Sequence, residues 1–487
     1  MLLFSLHPTR YVVPGCYPVD RDLAPHVIGM PEAPFPRPIL PRPPMATRQY
    51  NQVEAFLTLR RNPLELWGKR AYEEDILDGK FFGRDQLMLN APEAIRHVLV
   101  TNAANYRRNS GARRVLAPLL GRGLFLAEGE AWRHQRRTIA PAMAPRTLPV
   151  LARHVVTASA ITETALRETA GAPTVLMPHL QHLALDIAGQ SMFSLEMSGF
   201  RSELRATLMD YALKFAQPGV FDLLLPDSIP SPLDFGRHTF RQGWLRFLDQ
   251  LIDARETQSD AGDADSQPRD LLDMLRAARD PVTGAAFTRA QLRDEVATMI
   301  LAGHETTAVT LFWSCYLAAL LPEYQDAIAA EVAGVDLSPD HAASAQLPVT
   351  RAFVDEALRL YPPAFLIVRE AIAADEIMGR PIAPDTVVSV SPWVLHRHRA
   401  HWSDPDQFDP ARFAPGAKPP ERFTYMPFGA GPRICVGMQF ALTEATLVMA
   451  RLIQAFRLSL VGRGRVVPRG FVTTQPDRPV SFRLTAR

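Results

Sequence analysis

The chain has 487 residues and carries 53 basic against 51 acidic side chains, so its formal net charge of +2 gives no electrostatic footprint for nucleic acid. Its contents of 47% hydrophobic and 21% charged residues are ordinary for a folded protein and exclude a largely disordered chain. Because only three cysteines are present, Cys16, Cys315 and Cys435, no disulfide framework or paired zinc site can be drawn, and a cytoplasmic location is expected.

The N-terminal region is predicted to be an extension that precedes the folded body. Its first apolar run, MLLFSL, is too short for a signal sequence or a membrane anchor. Residues 31–44, PEAPFPRPILPRPP, contain seven prolines, which remove backbone donors and favour an extended segment. We therefore expect residues 1–45 to form a proline-rich extension and residues 46–487 to form one domain.

Helical periodicity dominates the remainder of the chain, with a few short strand-like runs. Segment 51–79 has mostly helical spacing, whereas FFGRDQLMLN at 81–90 and DTVVSVSPWVL at 385–395 are typical of strands. The polar run 256–270 predicts an exposed loop, and a final helix is expected over 437–456. This pattern predicts a mainly α fold with a small β component.

One apolar segment, from Ala297 to Leu321, is long enough to cross a bilayer, which takes about 20 residues. However, His304 and Glu305 lie at its middle, where polar side chains are costly in lipid. We therefore predict a buried helix of a soluble protein and no stable membrane span.

Within this helix, the stretch AGHETT interrupts the apolar residues with small and polar ones. Ala302 and Thr306 share a face, and the threonine hydroxyl can bond the carbonyl four residues back, which loosens the helix into a groove able to hold dioxygen. The alternative is an ordinary core helix in which Gly303 is a packing contact and Glu305 needs a partner.

The turn FGAGPRICVG, residues 428–437, places Cys435 among glycines and just before an apolar helix. Backbone N–H groups and the positive helix end are expected to lower the pKa of the thiol and favour the thiolate. Gly429, Gly431 and Gly437 permit close approach of a flat group. Arg433 can pair with an anionic substituent on that group. A lone cysteine ligand suits haem better than zinc, because a porphyrin supplies four further ligands; the alternative is a small buried hydrophobe.

The same ten residues match the pattern FxxGxRxCxG at every specified position. The turn thereby resembles the haem-binding loop of the cytochrome P-450 family. The resemblance implies that Cys435 is the axial iron ligand of haem b (iron protoporphyrin IX) and that Phe428 and Arg433 contact this cofactor.

Helix segment AGHETT also resembles a motif of this family, (A/G)Gx(D/E)T(T/S), which serves oxygen activation. The resemblance implies that Ala302 and Gly303 border the haem. It further implies that Glu305 and Thr306 are an acid–alcohol pair that relays protons to the oxygen being activated.

Segment DEALRLYPP places Glu356 and Arg359 three residues apart on one helix face, which alone indicates an ordinary surface pair. It matches the ExxR motif of the family, and DPARF supplies Arg412 as the expected third member, with Ala411 where a glutamate is common. The resemblance implies that the triad holds the haem-binding core together and takes no part in chemistry.

Segment GEAWRHQRRTIAPAM places Trp132 and Arg136 four residues apart on one side of a helix. It matches the family's WxxxR, which implies contacts from both side chains to the haem propionates; without the resemblance it is a basic surface helix. Arg369 and His396 lie where the family often supplies further residues near the haem.

By this resemblance, the chain from about residue 45 onwards is expected to form the family's mainly α, triangular single haem domain. The implied reaction is monooxygenation, in which one atom of dioxygen enters a lipophilic small molecule by hydroxylation or epoxidation. A haem–thiolate isomerase, dehydratase or peroxygenase of the same fold and a non-catalytic haem-binding protein are the alternatives.

Electrons are expected from NAD(P)H through a separate ferredoxin or flavoprotein, because the sequence contains no flavin or iron–sulfur domain. Arg133 and Arg137 are left either solvated or facing an acidic redox partner. Substrate-lining residues are expected in the apolar segments 106–126, 215–225 and 365–368, which predict only a lipophilic substrate.

Overall fold

The computed structural model describes residues 37–487 apart from 195–198, 200, 218, 225–228, 260–267, 338–340 and 463. These residues fall within one unit, Phe35–Arg487. Most of the predicted extension and the centre of the predicted loop 256–270 lie outside the described residues. The boundary at residue 45 stays a prediction.

Helices account for most of the described residues. In chain order they are α1 (Gln52–Arg61), α2 (Pro92–Arg96), α3 (Ser110–Leu120), α4 (Gly129–Ile139), α5 (Leu148–Glu168), α6 (Leu176–Phe193), α7 (Arg201–Lys214), α8 (Val220–Leu224), α9 (Asp234–Ser259), α10 (Leu271–Ala277), α11 (Arg289–Leu320), α12 (Pro322–Val332), α13 (Pro348–Leu360), α14 (Pro392–Leu395) and α15 (Met438–Ala455).

The strands are short and form small sheets, so the predicted mainly α fold with a small β component is confirmed. The strands are β1 (Ile76–Phe81), β2 (Arg84–Leu89), β3 (Tyr106–Arg108), β4 (Pro173–Val175), β5 (Ile367–Ala371), β6 (Asp375–Ile377), β7 (Arg380–Ile382), β8 (Val387–Val390), β9 (Phe456–Leu460), β10 (Pro468–Gly470), β11 (Thr474–Pro476) and β12 (Ser481–Ala486).

Helix α11 is the central element and spans 32 residues. It begins at a capping box in which Thr288 accepts from the backbone N–H of Gln291 and the Gln291 side chain accepts from the backbone of Thr288. Most of its residues from Val296 to Ala318 are buried, and it packs against α6 and α15. The predicted buried helix is therefore confirmed. Among the described residues, no helix combines the length and apolar character needed to cross a bilayer.

The largest sheet has the strand order β1-β2-β8-β5-β3. Strands β2 and β8 are parallel, whereas the other neighbours in this sheet are antiparallel. The β3–β5 register places Arg108 directly opposite Arg369. A three-stranded sheet, β4-β12-β9, and the hairpins β6–β7 and β10–β11 make up the remaining strand pairs of the described residues.

Two local predictions are corrected by turn chemistry. Helix α1 ends at Arg61 within the predicted helical segment 51–79, because Pro63 disfavours helical backbone at the preceding residue, and Ile76 already begins β1. The run 81–90 is not one strand. Phe82 and Gly83 have φ angles of 47° and 79° and form the turn that joins β1 to β2.

Candidate active site

The turn before α15 is held in a tight conformation that requires glycine. The backbone N–H of Cys435 donates to the Phe428 carbonyl at 3.0 Å. Gly431 has a φ of +72°, and a Cβ on it would lie 2.0 Å from the carbonyl oxygen of Leu99. Gly429 is also left-handed, with a φ of +74°, whereas Gly437 has an ordinary φ of −91° and is the N-cap of α15. The turn therefore needs glycine at two of the three predicted positions.

The Cys435 side chain is exposed, although the residues around it are mostly partly buried. Burial by surrounding protein atoms raises the pKa of its thiol, while the backbone N–H of Gly437 and the charge of Arg136 lower it. The predicted net lowering is thus wrong for the protein alone, because desolvation outweighs the two favourable interactions. The Cys435 side chain is thus accessible at its surface, while the protein atoms around it desolvate the thiol.

Helix α11 and the Cys435 turn are joined through α15. The Thr307 hydroxyl donates to Oε2 of Glu444 at 3.2 Å, which links α11 to α15 directly. One cluster of buried apolar side chains is also contacted by Leu301 of α11, Val436 of the cysteine turn and Trp132 of α4. The AGHETT motif and the cysteine turn therefore lie on neighbouring elements of one core.

The AGHETT segment opens the otherwise buried surface of α11. Ala302 is exposed, and a Cβ added to Gly303 would meet no atom within 4 Å beyond the local helix backbone. The Thr306 hydroxyl donates to the Ala302 carbonyl at 2.5 Å, which is the bond that the spacing predicts. Open space beside these small residues is suited to a flat group and a small molecule.

Within the described residues, the Glu305 side chain makes no hydrogen bond to Thr306. Its carboxylate accepts from Nε2 of Gln475, on β11, and from Nε2 of Gln181, on α6, at 3.5 Å. Sequence reasoning missed both glutamines, because they come from elements that are remote in the chain and carry no local signal.

Three guanidinium groups gather beside the turn. Arg108 and Arg369 oppose each other in the β3–β5 ladder. Burial and the charges of Arg369 and Arg433 lower the pKa of Arg108 to about 9. Burial and the charge of Arg433 lower the pKa of Arg369 to about 10. All three groups are still cationic at neutral pH, and Glu128 is the acidic group that favours their charged forms.

Arg433 is oriented by three partners. Its Nη1 donates to the Ala127 carbonyl at 2.9 Å, its Nη2 forms a salt bridge with Glu128, and its guanidinium lies 4.6 Å from the Trp132 ring centroid. Arg136, one turn further along α4, interacts electrostatically with Cys435. The structure thus brings Trp132, Arg136, Arg433 and Cys435 together, as the motifs predict.

The residues of the predicted triad also come together. Glu356 forms a two-pronged ion pair with Arg359, at 2.7 Å for both contacts, and both side chains are fully buried. Arg412 Nε lies 3.6 Å from Glu356, and Arg412 Nη2 donates to the Ser403 carbonyl at 2.8 Å. The pair is therefore not the exposed surface pair that its spacing alone would indicate.

His396 differs from its predicted role beside the cofactor. Its Nε2 accepts from the Met426 N–H at 2.8 Å, and its Nδ1 lies 3.0 Å from the Arg359 carbonyl, to which it donates. Burial lowers the pKa of His396 to about 3, so the ring is neutral. Both ring nitrogens are engaged by the backbone, which assigns His396 to holding the segment before Phe428.

The helix of the WxxxR motif leaves little free basic surface at Arg137. This side chain forms two hydrogen bonds with the buried carboxylate of Asp280, at 3.0 and 2.9 Å. Arg133 pairs with Glu130 at 2.5 Å and is half exposed. Of the two, Arg133 is the residue still able to face a partner.

The expected substrate-lining segments supply apolar side chains. Leu120 and Leu126, from segment 106–126, form a cluster with the partly buried side chains of Leu116, Phe215 and Leu301. Leu225, at the end of the second segment, lies outside the described residues. The wall next to the exposed part of α11 is therefore lipophilic.

Haem fits the residues present. Nε of Arg108 has no hydrogen-bond partner within the described residues, and the Arg369 side chain donates to its own neighbour, the Val368 carbonyl. Three cations beside Glu128 leave positive charge that two propionates can neutralise. In the part of the chain that the structure describes, no three His, Cys, Asp or Glu side chains gather as a metal site. A haem needs only one ligand from the protein, such as Cys435, because the porphyrin supplies the other four ligands of the iron.

Arg108 was missed by sequence reasoning although one signal was available. It follows Tyr106 by two residues in β3, so both side chains lie on the same face of the strand, and Tyr106 is buried. An arginine on the buried face of a strand needs an anionic partner.

Comparisons with known proteins agree with the site. A family model described as Cytochrome P450 matches residues 65–479. Cyclooctatin synthase of Streptomyces melanosporofaciens is 31% identical over 417 residues, which cover 85% of this chain and 89% of that protein. Pentalenene oxygenase of Streptomyces avermitilis is 29% identical over 437 residues, which cover 88% of this chain and 94% of that protein.

Solved structures show the same architecture. The crystal structure of the cytochrome P450DA heme domain matches with a TM-score of 0.76 at 24% identity, over 92% of this chain and 98% of that chain. Together with the family match over residues 65–479, this places the fold and the motifs in one family. The chain belongs to the cytochrome P450 family of haem-containing monooxygenases.

Proposed function

We propose that Cys435 is the axial thiolate ligand of haem b and that this protein oxygenates a lipophilic small molecule. The observation that carries the proposal is the exposed but desolvated Cys435 side chain, on a turn whose next helix is bonded to α11. When bound, the haem supplies the activation of dioxygen, and thiolate ligation favours O–O cleavage.

Arg108, Arg369 and Arg433 bind the two propionates in this proposal. Their mutual repulsion in the protein alone is relieved by the anions, and Glu128 and Trp132 fix the orientation of Arg433. Trp132 and Arg136 contact the propionates from α4 in this proposal, and the positive charge of Arg136 also favours the Cys435 thiolate.

Thr306 and Glu305 relay to the site the protons that the reaction consumes. The Thr306 hydroxyl donates to the Ala302 carbonyl. The hydroxyl oxygen therefore keeps lone pairs that can accept a hydrogen bond from a water beside the place where dioxygen binds. Glu305, on the same helix, takes up a proton from solvent and passes it to Thr306, which returns the carboxylate to its ionised form. Ala302 and Gly303, which have open space beside them, border the place where dioxygen binds.

Three buried residues and the partly buried Arg412 keep this geometry without touching the reacting atoms. Glu356, Arg359 and Arg412 hold the chain between 403 and 409 against α13 through charged hydrogen bonds. His396 holds the Met426 backbone just before the cysteine turn. Phe428 completes this support, because its carbonyl accepts from Cys435.

A terpenoid is the substrate class that we propose. The wall formed by Leu116, Leu120, Leu126 and Phe215 is apolar, and a relative that matches most of this chain is named for the oxygenation of pentalenene. We further propose that NAD(P)H supplies electrons through a separate ferredoxin or flavoprotein, that residues 46–487 form the haem domain, and that the protein acts in the cytoplasm.

The test begins with haem-loaded protein and a panel of cyclic terpenoid hydrocarbons and alcohols. Ligands that shift the haem spin state are then incubated with NADPH, a ferredoxin–reductase pair and isotopically labelled dioxygen. We expect one labelled oxygen atom per product molecule. Product formed without dioxygen, or only with added peroxide, would instead assign the protein to an isomerase, dehydratase or peroxygenase.

A further inference from the structure

The carboxylate of Glu305 is bound by two side-chain amides from different parts of the fold. Gln475 donates from β11, in the hairpin near the end of the chain, and Gln181 donates from α6 at 3.5 Å. In the part of the chain that the structure describes, Glu305 makes no salt bridge. The partners of this acid are therefore neutral.

The hairpin that carries Gln475 is itself fixed to the centre of the protein. The Trp313 indole N–H, two turns after Thr306 on α11, donates to the Thr474 carbonyl at 2.6 Å. The Thr474 N–H donates to the Pro363 carbonyl at 3.2 Å, and Gln475 Nε2 also donates to the Thr473 hydroxyl at 3.0 Å. The donor therefore approaches Glu305 from a rigid support.

We propose that Gln475 and Gln181 are positioning residues that hold the Glu305 carboxylate for proton delivery. The proposal rests on the function proposed for Glu305 above. An arginine or lysine at either position would hold the carboxylate by opposite charge, whereas an amide donor carries no net charge and binds it less strongly. Neutral donors thus orient Glu305, and their hydrogen bonds to it are weak enough to break when it passes a proton towards Thr306.

The same hairpin links Glu305 to the substrate side. A Cβ on Gly470, the last residue of β10, would lie 3.1 Å from the Phe365 ring, so the hairpin packs closely against the first residue of a predicted lining segment. This close packing adds to the rigidity of the hairpin that carries Gln475.

The experiment compares Gln475→Leu, Gln181→Leu and Gln475→Arg with the unaltered haem-loaded protein. Val472→Ala, at the exposed tip of the same hairpin, and Gln190→Leu, on α6, are the matched controls. We expect Gln475→Leu to raise the peroxide formed per NADPH about tenfold, the effect of one hydrogen bond to a charged group. We expect Gln475→Arg to raise it as well, with a larger solvent isotope effect on oxygen consumption, because the new ion pair retains the carboxylate.

Substrate affinity, measured by the spin-state shift, and the spectrum of the reduced carbon monoxide complex are expected to stay unchanged in these variants. A readout independent of turnover is the infrared carboxylate band that disappears in Glu305→Gln. This band should shift in Gln475→Leu and in Gln475→Arg. The controls should change neither the band nor the peroxide yield.

A double variant separates this inference from the proposed function. If Gln475 acts through Glu305, adding Gln475→Leu to Glu305→Gln produces no further peroxide. Full additivity of the two changes, or an unshifted band in Gln475→Leu, would overturn the positioning role. Unchanged coupling in Glu305→Gln alone would instead refute the proton-delivery role of Glu305, on which both proposals depend.

Discussion

Arg108 and Arg369 lie directly opposite each other in one strand pair, and Arg433 brings a third guanidinium group to the same place. Like charges that face each other across a β-ladder destabilise the fold. An anionic ligand offsets this repulsion, and the two propionates of haem are suitable anions. We therefore expect single residues in this cluster to contribute to cofactor affinity and to oppose the stability of the haem-free protein.

Arg108→Met is predicted to separate these two effects. Loss of a charged hydrogen bond should speed haem transfer to an acceptor globin about tenfold or more. The haem-free variant should unfold at the same or higher urea concentration than the haem-free parent, because one repulsive charge is gone.

Arg107→Met is the matched control for Arg108→Met. Arg107 is the preceding residue of β3, and its guanidinium pairs with Glu370 at 2.6 Å. Its loss should lower stability and leave the rate of haem transfer unchanged. Equal transfer rates for Arg108→Met and the parent would contradict the propionate assignment.

Thr306→Val is predicted to retain haem and to waste electrons. The substitution keeps the β-branched shape and removes the hydroxyl that lies beside Ala302. Peroxide per NADPH should rise by at least about tenfold, since a positioned proton donor contributes on the order of a hundredfold or more. Thr310→Val removes the equivalent hydroxyl bond one turn later, to the Thr306 carbonyl at 2.8 Å, and should leave coupling unchanged.

At the same scale, the sequence predicts residues whose role is encoded in a local motif. Cys435, Thr306 and the Glu356–Arg359 pair are found because spacing along one segment decides their geometry. Arg108 and Gln475 could not be found in this way, since their partners are supplied by strand pairing between distant segments. The raised pKa of the Cys435 thiol does not follow from the sequence, because the N–H groups that lower it are local whereas the burial that raises it comes from the whole fold.

At the scale of elements, helices α11 and α15 are joined by a buried acid. Glu444 is 3% exposed and accepts from the Thr307 hydroxyl, and burial raises its pKa to about 8. The same cause raises the pKa of Glu295, further towards the start of α11, to about 8. Both carboxyl groups are therefore protonated in the folded protein at neutral pH and ionised in the unfolded chain.

Glu444 gives the stability of the protein a defined pH dependence. Between about pH 4.5 and 8 the folded state keeps a proton that the unfolded state has lost, so the free energy of unfolding falls as pH rises, by a few kcal/mol for this group. In Glu444→Gln this contribution disappears. The melting temperature of the variant relative to the parent should therefore rise from pH 5 to pH 8; an identical pH profile for both proteins would contradict a protonated Glu444.

The buried ion pair of α13 is predicted to dominate the local stability of its helix. Arg359→Leu leaves Glu356 buried without its counter-charge, which costs about 3–5 kcal/mol. Arg351→Leu, in the same helix, breaks a partly exposed pair with Asp355 and should cost less than about 1 kcal/mol. Urea denaturation of the two variants measures the difference, and equal losses would contradict the account of the buried pair.

At the scale of the whole molecule, long stretches of helical periodicity are enough to predict the mainly α architecture. One apolar segment is enough to predict the buried central helix. Sheet order was beyond sequence reasoning, because β2 and β8 pair across about 300 residues with no local signal. The candidate site is assembled by such distant contacts, since α4, β3, β5, α11 and the cysteine turn each supply part of it.

The central claim is a bond between the Cys435 sulfur and the iron of a haem. The most direct test is the absorption spectrum of the reduced carbon monoxide complex, recorded for haem-loaded protein and for Cys435→Ser. We expect the red-shifted Soret band of thiolate ligation in the parent and its loss in the variant. A parent spectrum typical of an axial histidine, or a red-shifted band that persists in Cys435→Ser, would contradict the account.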